Sequence, residues 1–136
     1  MRVRAECILA ALPSSAHAAR EFIGDYLREC HAAPSVIADF QLTVSELASN
    51  VIEHSEGSEL TITVDASDPL WWALDVASDI TTAATNMLHP DSWVVTGSDL
   101  TSGRGLGIVR QLMTDIVVNI DNGRLNIRCR QHRAVA

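Results

Sequence analysis

Apolar residues recur at helical spacing twice in the first half of the chain. Behind Pro13-Ser14-Ser15, the positions Ala19, Phe22, Ile23 and Leu27 predict a helix over 16–30, with Ser14 or Ser15 available as N-cap. Pro34-Ser35 opens a second helix, predicted over 34–54. There Phe40, Val44, Leu47 and Val51 follow one another at intervals of four, three and four, a narrow core-facing stripe. Gly57 stands where a glycine commonly ends a helix.

Elsewhere the period is two. Val3 to Leu9 and Leu60 to Val64 read as strands, and a turn at Ser67-Asp68-Pro69 leads into another over Leu70 to Ala77. Trp71 and Trp72 are neighbours on that strand and so point to opposite faces. From Asp79 to Ser102 the pattern lapses into Thr, Ser, Pro90 and Gly97. A loop of this length is expected to be a lid, a binding loop or a partly disordered segment. Helical spacing resumes over Ile108 to Met113. The end is a hairpin, Ile116 to Asp121 and Arg124 to Arg130 around an Asn122-Gly123 turn. This order predicts an α+β fold: a two-layer α/β sandwich with a mostly antiparallel sheet and helices on one face.

Composition narrows the function classes. With 136 residues the expectation is one domain over 1–136, and 47% hydrophobic against 20% charged residues gives it a core to bury. A formal net charge of −7 argues against direct nucleic-acid binding and against an anionic membrane surface. The locally basic tail, Arg124 to Arg133, reads as a solvated strand face. No apolar run reaches membrane-spanning length, and Met1 to Ala11 lacks the apolar core and cleavage site of a targeting signal. Cys7, Cys30 and Cys129 are odd in number and far apart, which fits neither a disulfide framework nor a zinc site. The expected compartment is a reducing cytoplasm.

Two segments carry chemistry. In Ser45-Glu46-Leu47-Ala48-Ser49-Asn50-Val51-Ile52-Glu53-His54, an acid, an amide and an imidazole stand four residues apart. On a helix Glu46 and Asn50 lie roughly 40° apart, with Glu53 within about 20° of Glu46 and His54 at the stripe's margin. Taken alone, this is a solvated face. The second segment, Ser102-Gly103-Arg104-Gly105-Leu106-Gly107, places three alternating glycines directly ahead of the helix expected from Ile108. Glycines there let the backbone approach a ligand and aim N–H groups at an anion, where a helix N-terminus adds partial positive charge. The Gly-Lys-Ser/Thr of a P-loop is missing, and the glycine spacing is wrong for a dinucleotide fingerprint.

Together the two segments resemble the N-box and the second glycine box of the GHKL (Bergerat-fold) ATPases, and most closely the small anti-sigma-factor serine kinases among them. The resemblance covers nearly the whole chain. It implies ATP and Mg²⁺ as cofactors, with Asn50 giving its side-chain oxygen to the metal. It makes Glu46 the general base and puts His54 near the phosphates. Gly103, Gly105 and Gly107 would cradle the phosphates, with Arg104 and Leu106 in the same box. It further implies phosphorylation of a serine on an anti-anti-sigma (STAS-type) protein, sequestration of a sigma factor, and a homodimer through the uncovered sheet face. One box departs from the pattern. The family's Asp-x-Gly-x-Gly corresponds here to "LDVASDITTAATN", which has no glycine; Asp79 is the candidate adenine acceptor, with Ser78 in the slot if strand register is strict. Two other readings therefore stay open: a catalytically degenerate, partner-sequestering regulator of the same fold with weak or no nucleotide binding, and an unrelated α/β domain in which both segments are coincidental.

Overall fold

The computed structural model describes residues 4–54, 59–79, 101–121 and 123–133. Eight elements follow one another: β1 (Arg4–Ala10), α1 (Ser15–Glu29), α2 (Pro34–His54), β2 (Glu59–Asp65), β3 (Trp71–Asp79), α3 (Thr101–Leu112), β4 (Asp115–Asp121) and β5 (Arg124–His132). Among the described residues the five strands join one sheet in the order β1-β2-β3-β5-β4, with antiparallel pairings throughout. The expected α+β sandwich is the observed one.

Period-two alternation explains which face the helices cover. Leu60, Ile62 and Val64 of β2, Trp72, Leu74 and Val76 of β3, and Leu125, Ile127 and Cys129 of β5 all point inward and are buried. They meet Ile23 and Leu27 of α1, Phe40, Val44, Leu47 and Val51 of α2, and Leu106 and Val109 of α3. The Cys129 thiol is held protonated, because burial and the nearby Asp75 and Asp115 all push its pKa up. On the other face Arg128 pairs with Asp75 at 2.7 Å, Arg130 with Asp115, and Arg124 with Asp79 at 3.6 Å. The locally basic tail is thus matched by acids of β3 and β4. Trp71 lies on this open face beneath Arg130, while Trp72 is core, so the two tryptophans divide as the alternation requires.

Local signals set the ends. Asp121 faces Arg124 across a two-residue loop, and Gly123 has the positive φ of 74° that such a turn demands. Ser14 holds the N-cap position of α1 without a capping bond from its side chain; Ser15 instead donates its hydroxyl to the Ala10 carbonyl at 2.6 Å, tying α1 to β1. At the other end of α1, His31 N–H bonds the Arg28 carbonyl and Ala32 N–H the Leu27 carbonyl, a Schellman closure with His31 at φ 59°. The expected helix-ending Gly57 and the irregular loop, apart from its first residue Asp79 and its last two, lie outside the described residues.

The third helix starts earlier than its sequence suggests. It runs from Thr101, not Ile108, and takes the three glycines into its first two turns. Leu106, Val109 and Met113 supply the reason, since all three are buried in the core and bring α3 onto it. Tertiary packing outweighs the poor helix propensity of glycine here.

Candidate functional site

Asp39, Thr43, Glu46 and Asn50 form a second stripe on α2, within an arc of about 60°. It faces α3. Gln131 Nε2 donates to Asp39 Oδ2 at 2.8 Å and to the Leu112 carbonyl at 3.1 Å, joining the start of the stripe to the end of α3. Further along, the Glu46 side chain lies against Gly105, so α3 runs antiparallel to α2. Thr43 is wholly buried and Asn50 is 3% exposed.

Asn50 is oriented by its own helix. Its Nδ2 donates to the Glu46 carbonyl at 3.2 Å. A carbonyl accepts only, so the amide nitrogen must face it and Oδ1 must point away. Among the described residues that Oδ1 is buried without a hydrogen-bond partner, as is Thr43 Oγ1. Leaving such an acceptor unpaired costs about 1–3 kcal/mol. A hard cation relieves that cost: an amide oxygen suits Mg²⁺, which takes one or two protein ligands and fills its octahedron with phosphate and water. The residue present therefore fits the metal that the sequence implies.

The glycine box is built differently from the expectation. Only N–H groups in the first turn of a helix lack an intrahelical acceptor, and of the three glycines only Gly103 falls there. Gly105 and Gly107, both buried, lie in the interior of α3, where backbone amides serve the helix itself. The amide cradle is thus confined to the start of α3. Leu106 points into the core. The side chains of Arg104 and His54 lie outside the described residues.

At the opposite end of the site, strand register separates Ser78 from Asp79. Ser78 is 1% exposed and pairs across the sheet with Leu60 and Leu125, on the face that the helices cover. Asp79 points to the open face, where its side chain is 69% exposed and lies 3.6 Å from Arg124. Of the two candidates, Ser78 is the one on the same side of the sheet as Asn50. A cleft of ≈ 460 Å³ is lined by Ala11, Pro13, Ser49, Ile52 and Glu53, between α2 and the connection from β1 to α1. A roomier one, ≈ 640 Å³ at the α1–α2 corner, contains none of these residues.

Sequence reading brings together Glu46, Asn50 and the glycine box; the structure sets the Glu46 side chain against Gly105 and bonds Asn50 to the Glu46 carbonyl. Sequence reading misses Thr43, Asp39 and Gln131. Thr43 has a legible signal, a hydroxyl seven residues before Asn50 on the same line. Gln131 has none, because its contact with Asp39 spans 92 residues.

The model of the histidine kinase-like ATPase domain matches residues 9–130. Among solved structures, the RsbU and RsbW domains of Rv1364c from Mycobacterium tuberculosis align over 96% of this chain at 17% identity, with a TM-score of 0.65. This chain spans only 33% of that one. The SiaB–SiaC complex from Pseudomonas aeruginosa aligns over 95% of this chain and 89% of the other, at 10% identity and a TM-score of 0.66. No curated protein matches the sequence significantly. With a family model covering residues 9–130, and so both segments and most of the sheet, the chain belongs to the histidine kinase-like ATPase domain family, and the solved structures share its fold.

Proposed function

We propose that the chain is an ATP- and Mg²⁺-dependent protein serine kinase and anti-sigma factor, which phosphorylates a serine of an anti-anti-sigma (STAS-type) protein and otherwise holds a sigma factor. The observation that carries this reading is the buried Asn50 Oδ1, unpartnered among the described residues, one turn from Glu46. A partner-binding scaffold has no use for a buried acceptor left open in this way. Bound Mg²⁺ would neutralise phosphate charge. Glu46 would accept the proton of the serine hydroxyl as its oxygen bonds to the γ-phosphorus and ADP departs. The start of α3 would receive phosphate oxygens on its free N–H groups. Ser78, on the helix-covered face, would take the adenine contact in place of Asp79. The likeness to an RsbW domain and to a SiaB–SiaC complex supports a partner-switching setting. The open sheet face is the surface for a homodimer.

A second reading has its own support. The segment "LDVASDITTAATN" at the end of β3 contains no glycine, and Asp79 is turned to the open face beside Arg124. A regulator that binds its partner with little or no nucleotide would need neither adenine box nor base. Phosphotransfer from Mg²⁺-ATP to a STAS-type partner separates the two. The kinase reading expects transfer by the wild type. Glu46→Gln should cut it by roughly 10²–10⁴-fold while nucleotide affinity holds, since a base acts on the chemical step. Partner binding without transfer by the wild type favours the second reading, and joint loss of affinity and transfer in Glu46→Gln makes Glu46 structural.

A further inference from the structure

Gly105 has no evident phosphate role where it sits. It lies inside α3, past the first turn, so its N–H belongs to the helix ladder. Glycine is also among the poorest helix formers, and one held inside a helix calls for a reason. The space beside its α-carbon gives that reason. A β-carbon built on Gly105 would overlap Glu46 Oε2 and lie 2.9 Å from Glu46 Cδ and 3.5 Å from Glu46 Cγ. The three nearest atoms thus all belong to one side chain, the base of the reaction proposed above.

We infer that Gly105 is a positioning residue: its bare α-carbon is the seat of the Glu46 carboxylate, fixing where the base stands relative to α3. The inference rests on the kinase reading for its catalytic meaning, though not for the contact itself. Glu46 is half-buried, and its backbone is fixed by its neighbour Leu47 in the core and by the Asn50 side chain bonded to its carbonyl. Its side chain can therefore adjust only at its outer bonds. The first half of α3 also offers an anionic group the positive end of the helix dipole. A methyl group at position 105 pushes the carboxylate off this seat. Because the displaced atoms are the end of a flexible side chain, the fold survives and the loss falls on proton transfer.

Two measurements on this chain test it. The first compares denaturation midpoints of Gly105→Ala in the wild-type and Glu46→Ala backgrounds. Alanine is the better helix former, so with the Glu46 side chain truncated the substitution should raise the midpoint; with Glu46 present it should lower it or leave it flat. An equal rise in both backgrounds means that no seat exists. The second separates binding from chemistry. Gly105→Ala should bind Mg²⁺-ATP within about threefold of wild type and transfer phosphate roughly tenfold or more slowly at saturating nucleotide. Weakened nucleotide binding with saturated transfer intact would overturn the proposal and make Gly105 part of the phosphate cradle. A wild type that transfers no phosphate would remove the positioning role along with the kinase reading. The comparison of midpoints would still decide whether Gly105 seats Glu46.

Discussion

Phe40, Val44, Leu47 and Val51 on one stripe of α2, and Thr43 and Asn50 on the other, are equally hidden from solvent, yet only the first set is accounted for by packing. The apolar stripe meets α1 and the sheet in one continuous core. The polar stripe meets α3, and there two buried oxygens have no partner among the described residues. Burial on the first stripe adds stability; on the second it subtracts. A helix that accepts such a cost along one line, beside a glycine that makes room for a carboxylate, is organised for something other than its own stability.

Substitutions should expose that difference. On the apolar stripe Phe40→Ala should cost about 3–5 kcal/mol, the loss expected of a large buried side chain whose cavity cannot fully collapse. Chemical denaturation would measure it, and a loss below about 1 kcal/mol would mean that the stripe is not the core it resembles. On the polar stripe the sign reverses. Thr43→Val keeps shape and β-branching while removing a buried hydroxyl that lacks a partner, so it should leave stability unchanged or raise it by about 1 kcal/mol. Destabilisation of that size instead would show that the hydroxyl is satisfied after all. The smallest effect is a control away from both stripes. His31 sits at φ 59° in the closure of α1, and His31→Gly should gain roughly 0.5–1 kcal/mol by relieving a left-handed backbone, without altering nucleotide affinity. A destabilised His31→Gly would mean that the imidazole makes a contact worth more than the strain.

How far the sequence reaches differs between the same two regions. The apolar stripe repeats at helical spacing, and α2 runs over 34–54 as that spacing predicts. The hairpin is equally legible, because Asn-Gly permits only a few turn geometries. Strand alternation decides the faces of Trp71 and Trp72, and the same alternation puts Ser78 with Leu74 and Val76 and turns Asp79 the other way. The α2–α3 seam is harder to read. Glycines at 103, 105 and 107 hide the start of α3, because propensity favours a loop and only the core contacts of Leu106 and Val109 decide for a helix. That Gly105 faces Glu46, or that Gln131 bridges Asp39 to Leu112, depends on tertiary approach between distant segments and leaves no local trace.

The central claim is that Asn50 Oδ1 is left open for a metal that accompanies a nucleotide. Calorimetric titration with ATP, with and without Mg²⁺, of the wild type and Asn50→Ala tests it most directly. The substitution removes one hydrogen bond and one unsatisfied acceptor together, so the fold should hold within about 1 kcal/mol. Wild-type affinity should fall roughly 10-fold or more when Mg²⁺ is withdrawn, in the range that even outer-shell partners of a metal command. Asn50→Ala should bind equally weakly in both conditions. If the wild type binds ATP as tightly without Mg²⁺, or if Asn50→Ala keeps the full Mg²⁺ enhancement, the buried oxygen serves no metal and the account fails.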